Sequence, residues 1–223
     1  MKQIRIILVT LLLILTAQAE WKPLKTLDYY GPKAFTLKKG VAYVEIRKYK
    51  KVSEAGTDIV EQDVAFKMYR HPLSYFGPAL KRTFQSIPPK KEYAFKKAQS
   101  GGLVSRVSWY HNGFMIDSRG KQWRLESIRD VIDMVKPIDT PADLSLVLWL
   151  HSDAQERSDR EEYRAKYRKS DNGYVIREHH ISREYGEWIY GCGDYTFEYR
   201  INRSGGVSQR KLIEKREVAC GGE

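Results

Sequence analysis

Residues Thr140-Pro141-Ala142-Asp143-Leu144-Ser145-Leu146-Val147-Leu148-Trp149-Leu150 read as a helix with a complete chemical start and almost no polar side. Thr140 offers a hydroxyl cap, and Pro141 fits the first helical position, where a backbone N–H has no intrahelical partner. Asp143 lies near the positive end of the helix dipole. A helix that is apolar from Leu144 to Leu150 on nearly every side is expected in a core. Just before it, Ser127 can cap a shorter helix with Asp130 three residues on and an apolar stripe of Ile128, Val131, Ile132 and Val135. A third helix is predicted from Pro78, with Leu80, Phe84 and Ile87 at i, i+4 and i+7, ending at Pro88-Pro89.

The segments around these helices have the period of strands. Gly40 to Ile46 and Asp63 to Tyr69 alternate between apolar and polar residues. Leu103 to Tyr110, a turn at His111-Asn112-Gly113, and Phe114 to Asp117 predict a hairpin. A second turn at Ser118-Arg119-Gly120 leads into Gln122 to Leu125, and the lysine-rich stretch holding Lys90, Lys91, Lys96 and Lys97 reads as a solvated connection. Beyond the polar run from Ser152 to Arg160, the turn Asp171-Asn172-Gly173 joins Tyr163–Arg168 to Tyr174–Ile181. Tyr195 to Ile201 follows, then Ser204-Gly205-Gly206 and a return over Val207 to Val218. The expected fold is therefore α+β, with antiparallel hairpins and two or three helices in the N-terminal part and a C-terminal four-stranded antiparallel meander. Its expected divisions are a signal peptide over 1–19, an α+β domain over 20–151 and a β-rich subdomain over 152–223.

The signal peptide is read from Lys2 and Arg5, the apolar run Ile6 to Leu15, and Ala17-Gln18-Ala19, which sets the cleavage between Ala19 and Glu20. A membrane anchor would need about 20 apolar residues, more than this run holds. The exported chain is expected in the periplasm or secreted, and no longer membrane-spanning. Oxidising surroundings favour pairing of the two cysteines, Cys192 and Cys220, which have one possible partner each. A hairpin pivoting near Gly206 brings them opposite each other and sets Glu198 across from Arg216 and Arg200 across from Glu214. A helix over Lys211 to Glu217, whose residues favour that state, is the rival assignment. A closed loop of this length would add about 3 kcal/mol by restricting the unfolded chain.

Hydrophobic residues make up 42% of the chain, and the formal net charge is +11. The composition suits a globular protein with a core, and the excess of lysine and arginine favours anionic partners. Tyr29-Tyr30-Gly31-Pro32 recurs as Tyr75-Phe76-Gly77-Pro78, and Asn112-Gly113-Phe114 resembles Asn172-Gly173-Tyr174, but the residues after each match diverge.

Local catalytic signatures are missing: no nucleophile elbow, serine-x-x-lysine pair, zinc-protease helix or phosphate-cradling glycine loop occurs. His179 and His180 sit side by side in a predicted strand and so point to opposite faces, an arrangement poorly suited to gripping one metal. His111 opens a turn, His151 ends a helix, and His71 precedes Pro72. No catalytic residue, metal ligand or cofactor is assigned. The binding candidates are Tyr185, Trp188 and Tyr190, together with His179. The function expected is a noncatalytic exported protein that displays a basic, aromatic-containing surface to an anionic cell-envelope component or a protein partner, with nucleic acid disfavoured. The alternatives are an exported hydrolase with a dispersed active site acting on envelope material, and a toxin inhibitor or immunity protein.

Overall fold

The computed structural model describes residues 20–54, 57–88, 90, 94, 96–99, 108–151, 165–182 and 193–217. Its strands are β1 (Lys22–Pro23), β2 (Val41–Glu54), β3 (Thr57–Tyr69), β4 (Lys96–Gln99), β5 (Ser108–Asp117), β6 (Gln122–Leu125), β7 (Lys166–Ser170), β8 (Gly173–Ser182), β9 (Gly193–Asn202) and β10 (Lys211–Glu217). Three α-helices accompany them: α1 (Gly77–Gln85), α2 (Ile128–Asp133) and α3 (Pro141–His151). The fold is α+β with two antiparallel sheets, and the chain divides into two compact units, 25–159 with 203–206, and 1–24 with 160–202 and 207–223.

In the larger unit the sheet runs β3-β2-β5-β4, with β6 also paired to β5. Successive side chains of a strand point to opposite faces, and β2 buries both. Tyr43, Glu45 and Arg47 take one face, Val44 and Ile46 the other. Helix α1 covers the first face through Phe84, whose ring meets Tyr43 at 5.6 Å and Phe114 at 6.3 Å. Leu80 and Ile87 pack around the same cluster, as the i, i+4, i+7 spacing requires. On the second face His111 of β5 stands edge-on to Trp149 of α3 at 5.2 Å. Helix α3 is buried from Ala142 to Leu150, which is why its sequence carries almost no polar side.

Both predicted helix starts form. Ser127 Oγ accepts from Asp130 N at 3.1 Å while Asp130 Oδ2 accepts from Ser127 N at 2.9 Å, a reciprocal capping box. Thr140 Oγ1 accepts from Asp143 N at 3.1 Å, and Asp143 Oδ2 accepts from Thr140 N at 3.2 Å. Asp143 Oδ1 also takes the backbone N–H of Thr36 at 2.9 Å, so the cap of α3 fixes the loop that precedes β2.

Two expectations in this unit are corrected. His111-Asn112-Gly113 is not a turn, because β5 runs straight through it between β2 and β4, and all three residues are buried. Asn112 bonds the backbone of Lys90 in both directions, at 2.8 and 3.1 Å, which satisfies the amide inside the sheet. The lysine-rich connection also contains a strand, β4, paired to β5. The turn at Ser118-Arg119-Gly120 does form, with Asp117 Oδ1 accepting from the N–H groups of Arg119 and Lys121 and Gly120 at φ +81.

The smaller unit is the meander β7-β8-β9-β10 with β1 added at the β7 edge. Lys166–Ser170 and Gly173–Ser182 are joined at Asp171-Asn172, and Gly173 adopts φ +133. Trp21 is held at the β1 end by the guanidinium groups of Arg168 and Arg177, at 5.0 and 4.3 Å from its ring. Lys211–Glu217 is a strand and not a helix, but its register differs from the expected one. Glu198 faces Lys211 instead of Arg216, and Glu214 faces Thr196 instead of Arg200, with a bulge between Leu212 and Glu214. The cause is the loop Arg203–Gly206, which is no tight turn. Within the larger unit, the Arg203 guanidinium forks onto Asp139 at 2.9 and 2.8 Å, Ile138 N donates to Arg203 O at 2.9 Å, and Gly205 at φ +79 lies against Ile132. Pairing resumes at Val207, which bridges Ile201, and at Ser208, whose N–H donates to Arg200 O. Opposite charges still face each other, now as Lys211 with Glu198 and Arg216 with Asp194.

Candidate functional site

Two short 3-10 turns of the larger unit, Leu27–Tyr29 and Leu73–Phe76, carry the repeated sequence noted above. With the preceding leucines included, the match is Leu-x-Tyr-Tyr/Phe-Gly-Pro in both places. Each turn is entered through an extended residue of nearly the same geometry, Thr26 at φ −64, ψ 160 and Pro72 at φ −64, ψ 157. Each presents an exposed tyrosine, Tyr29 at 64% and Tyr75 at 66%. A basic side chain four residues earlier covers part of each ring: Lys25 Nζ lies 3.5 Å from the Tyr29 centroid, and His71 stacks on Tyr75 at 4.4 Å. The next ring meets each tyrosine edge-on, Tyr30 at 6.2 Å and Phe76 at 5.5 Å. What recurs is thus a local device, six residues long, and not a domain.

The two copies are tied to one place. Pro32 O, at the end of the first, accepts from the N–H of Tyr69 at 3.0 Å, and Tyr69 closes β3 directly before the second copy begins. Between these segments lies an open cleft of about 330 Å³ lined by Lys33, Phe35, Thr36, Leu37, Tyr69 and Arg70. Phe35 is a fixed wall, buried against Phe66 at 4.9 Å. Tyr69 is held flat on Tyr43 at 5.8 Å, and the Arg70 guanidinium donates to the Leu37 carbonyl. Lys33 and Arg70 are exposed, as are Lys38, Lys39 and Lys67 close by in sequence. No lining residue is an aspartate or glutamate, and the buried carboxylate of Asp143 meets the lining at the backbone N–H of Thr36. Cations in a concave surface focus potential toward an anionic ligand, while the fixed rings offer apolar area beside it.

Other polar groups are used inside the fold. The Glu45–Arg47 pair is closed off by Phe84 and Phe114, and Tyr43 donates its hydroxyl to Glu45 Oε2 at 2.6 Å. Burial, then the bond to Glu45, pushes the Tyr43 phenol far above its usual range. In the smaller unit, buried Glu178 accepts from Tyr199 at 3.0 Å and pairs with Arg210 at 3.2 Å. Burial, then the Glu178 charge, raises the Tyr199 phenol in the same direction. Burial also raises the Asp143 carboxyl, against hydrogen bonds from Thr36 and Thr140 that pull it down.

Of the residues singled out in the sequence, His179 is half-buried in β8, opposite Thr196 on β9. Tyr185, Trp188, Tyr190, Cys192, Cys220 and Ala19 lie outside the described residues, as does the side chain of His180, and Glu20 is exposed at the start of the described chain. The last rung of the meander pairs Gly193 with Glu217, one residue from Cys192 and three from Cys220. Among the described residues no three His, Cys, Asp or Glu side chains are grouped to hold a metal ion, and no helix is long and apolar enough to cross a membrane. Lys33, Arg70, Tyr29 and Tyr75 were not singled out as site residues. Their signal was present in the repeated hexapeptide and in the cations near each copy. No family model, curated protein or solved structure matches this chain.

Proposed function

We propose that the chain is an exported, noncatalytic binding protein, and that the cleft between Lys33 and Arg70 takes an anionic component of the cell envelope. The observation that carries this reading is the pairing of exposed cations with fixed aromatic walls in a cleft whose six lining residues include no acidic one. The signal-like N-terminus supports export. The lining supports binding over catalysis, since none of its six residues is a carboxylate, histidine or cysteine. An acid–base pair of the kind sugar hydrolysis needs is thus missing from the lining.

Two surface cations beside an anion supply steering and a salt-sensitive part of the affinity, because exposed charges further apart than about 10 Å are screened at ordinary ionic strength. The test is retention of the purified chain on lipopolysaccharide and on anionic phospholipid vesicles at low and at high salt. Retention should fall with salt and fall again in the double variant Lys33→Ala/Arg70→Ala. Equal retention by that variant, or retention unchanged in high salt, contradicts the reading.

A further inference from the structure

The repeated hexapeptide narrows the chemistry of the ligand. Resting on the assignment of the Lys33/Arg70 cleft as an anion site, we infer that its ligand is an acidic polysaccharide, whose carboxylates meet Lys33 and Arg70 and whose sugar rings lie on Tyr29 and Tyr75. The device is built twice, with the same entry geometry at Thr26 and Pro72, the same exposed tyrosine, and a lysine or histidine four residues before it. The chain leaves the two turns differently, at Tyr30 with ψ 127 and Phe76 with ψ 1. Tyr29 stands four residues before Lys33, and Tyr75 five residues after Arg70, so each cation of the cleft has its own ring platform nearby in the chain.

A core role does not account for these tyrosines, because 64% and 66% of their surface stays in water while Phe35 and Phe84 are buried. Exposed aromatic rings favour partners with a flat C–H face, since the ring's negative π-face attracts the weakly positive hydrogens of a pyranose. Lys25, held against the Tyr29 ring, adds a cation beside that platform. Two platforms, each within five residues of a cleft cation in the chain, match a ligand that repeats both features along its length, as a polyuronate does. Single-stranded nucleic acid also combines charge with rings. Oligothymidylate binding therefore separates the two in the experiment.

The experiment measures affinities of the full exported chain for oligogalacturonate, inorganic polyphosphate, neutral dextran and oligothymidylate by calorimetry. The variants are Tyr29→Ala/Tyr75→Ala, Tyr29→Phe/Tyr75→Phe and Lys33→Ala/Arg70→Ala, each first shown to unfold at the wild-type midpoint. Oligogalacturonate should bind, dextran should not, and the alanine pair should weaken oligogalacturonate about tenfold or more, which is about 1.4 kcal/mol per tenfold. The phenylalanine pair should keep most of that affinity, and polyphosphate should respond to Lys33→Ala/Arg70→Ala alone. If the alanine pair binds oligogalacturonate like wild type, or if oligothymidylate binds more tightly with the same tyrosine dependence, the saccharide inference is overturned while the anion site stands. If Lys33→Ala/Arg70→Ala changes neither polyphosphate nor oligogalacturonate binding, the anion site itself is lost.

Discussion

Arg47 Nε donates to Glu45 Oε1 at 2.5 Å, from two residues further along the same face of β2. The guanidinium is 1% exposed, lies 4.3 Å from the Phe114 ring, and donates to the carbonyls of Phe84 in the last turn of α1 and of Ile87 just beyond it, at 2.9 and 3.2 Å. A cation at a helix C-terminus is favourable, and here it joins the helix to the sheet. Removing one partner of a buried pair leaves an uncompensated charge, so Arg47→Met should destabilise the larger unit by about 3–5 kcal/mol. Glu45→Leu combined with Arg47→Met should lose less than Arg47→Met alone. Denaturation midpoints of the single and double variants check this, and a double variant as weak as the sum of the singles contradicts it.

Alkaline pH should weaken the fold through two phenols. The Tyr43 and Tyr199 phenols are both held above the ordinary phenol range, chiefly by burial. The unfolded phenols titrate first, so the stability these groups contribute is complete below about pH 10 and declines as the pH rises further. Tyr43→Phe should flatten that decline while costing about 0.5–1.5 kcal/mol at neutral pH for its lost hydrogen bond to Glu45. Urea unfolding followed from neutral pH to above 10 measures both effects, and an unchanged alkaline slope in both phenylalanine variants speaks against the assignment.

Glycine should matter unequally at two turns. A Cβ on Gly173, at φ +133, would lie 2.2 Å from Ile201 O, a backbone atom of the neighbouring strand that cannot swing aside. A Cβ on Gly40, at φ +90, meets nothing within 4 Å. Gly40→Ala should therefore cost about 1–2 kcal/mol for its backbone conformation alone, and Gly173→Ala should cost distinctly more. Thermal midpoints of the two variants rank them, and equal losses would show that the β8–β9 contact is looser than described.

Cys192 and Cys220 flank the last paired rung of β9 and β10, Gly193 with Glu217. We expect them to be joined under oxidising conditions, and Cys192→Ser then to cost about 3 kcal/mol. Intact mass with and without reductant, after alkylation of native material, reads the pairing directly. Two alkylated thiols before reduction would refute it.

The elements written in local chemistry were legible. Ser127 with Asp130 and Thr140 with Asp143 place caps within a few residues of the helices they start, and the structure forms both. Leu80, Phe84 and Ile87 likewise identify the buried face of α1. What the sequence hid depends on distant partners. Asn112-Gly113 has the composition of a tight turn, yet Lys90, twenty-two residues away, takes up the asparagine amide and lets β5 continue. The β9–β10 register shifts because Arg203 is committed to Asp139, a contact 64 residues long in sequence. Glu45 and Arg47 look like the wet face of an alternating strand until Phe84 and Phe114 cover them. Lys33 and Arg70 lie thirty-seven residues apart and meet through contacts such as the Pro32–Tyr69 hydrogen bond and the Phe35–Phe66 ring pair, so no single window contains the cleft.

The binding site is tested most directly by titrating oligogalacturonate into the isotope-labelled chain and following its amide resonances. The account predicts saturable shifts at 33–37, at Tyr69 and Arg70, and around Tyr29 and Tyr75, with all of them lost in Lys33→Ala/Arg70→Ala. Shifts confined to β9 and β10, or undiminished in that variant, would contradict it.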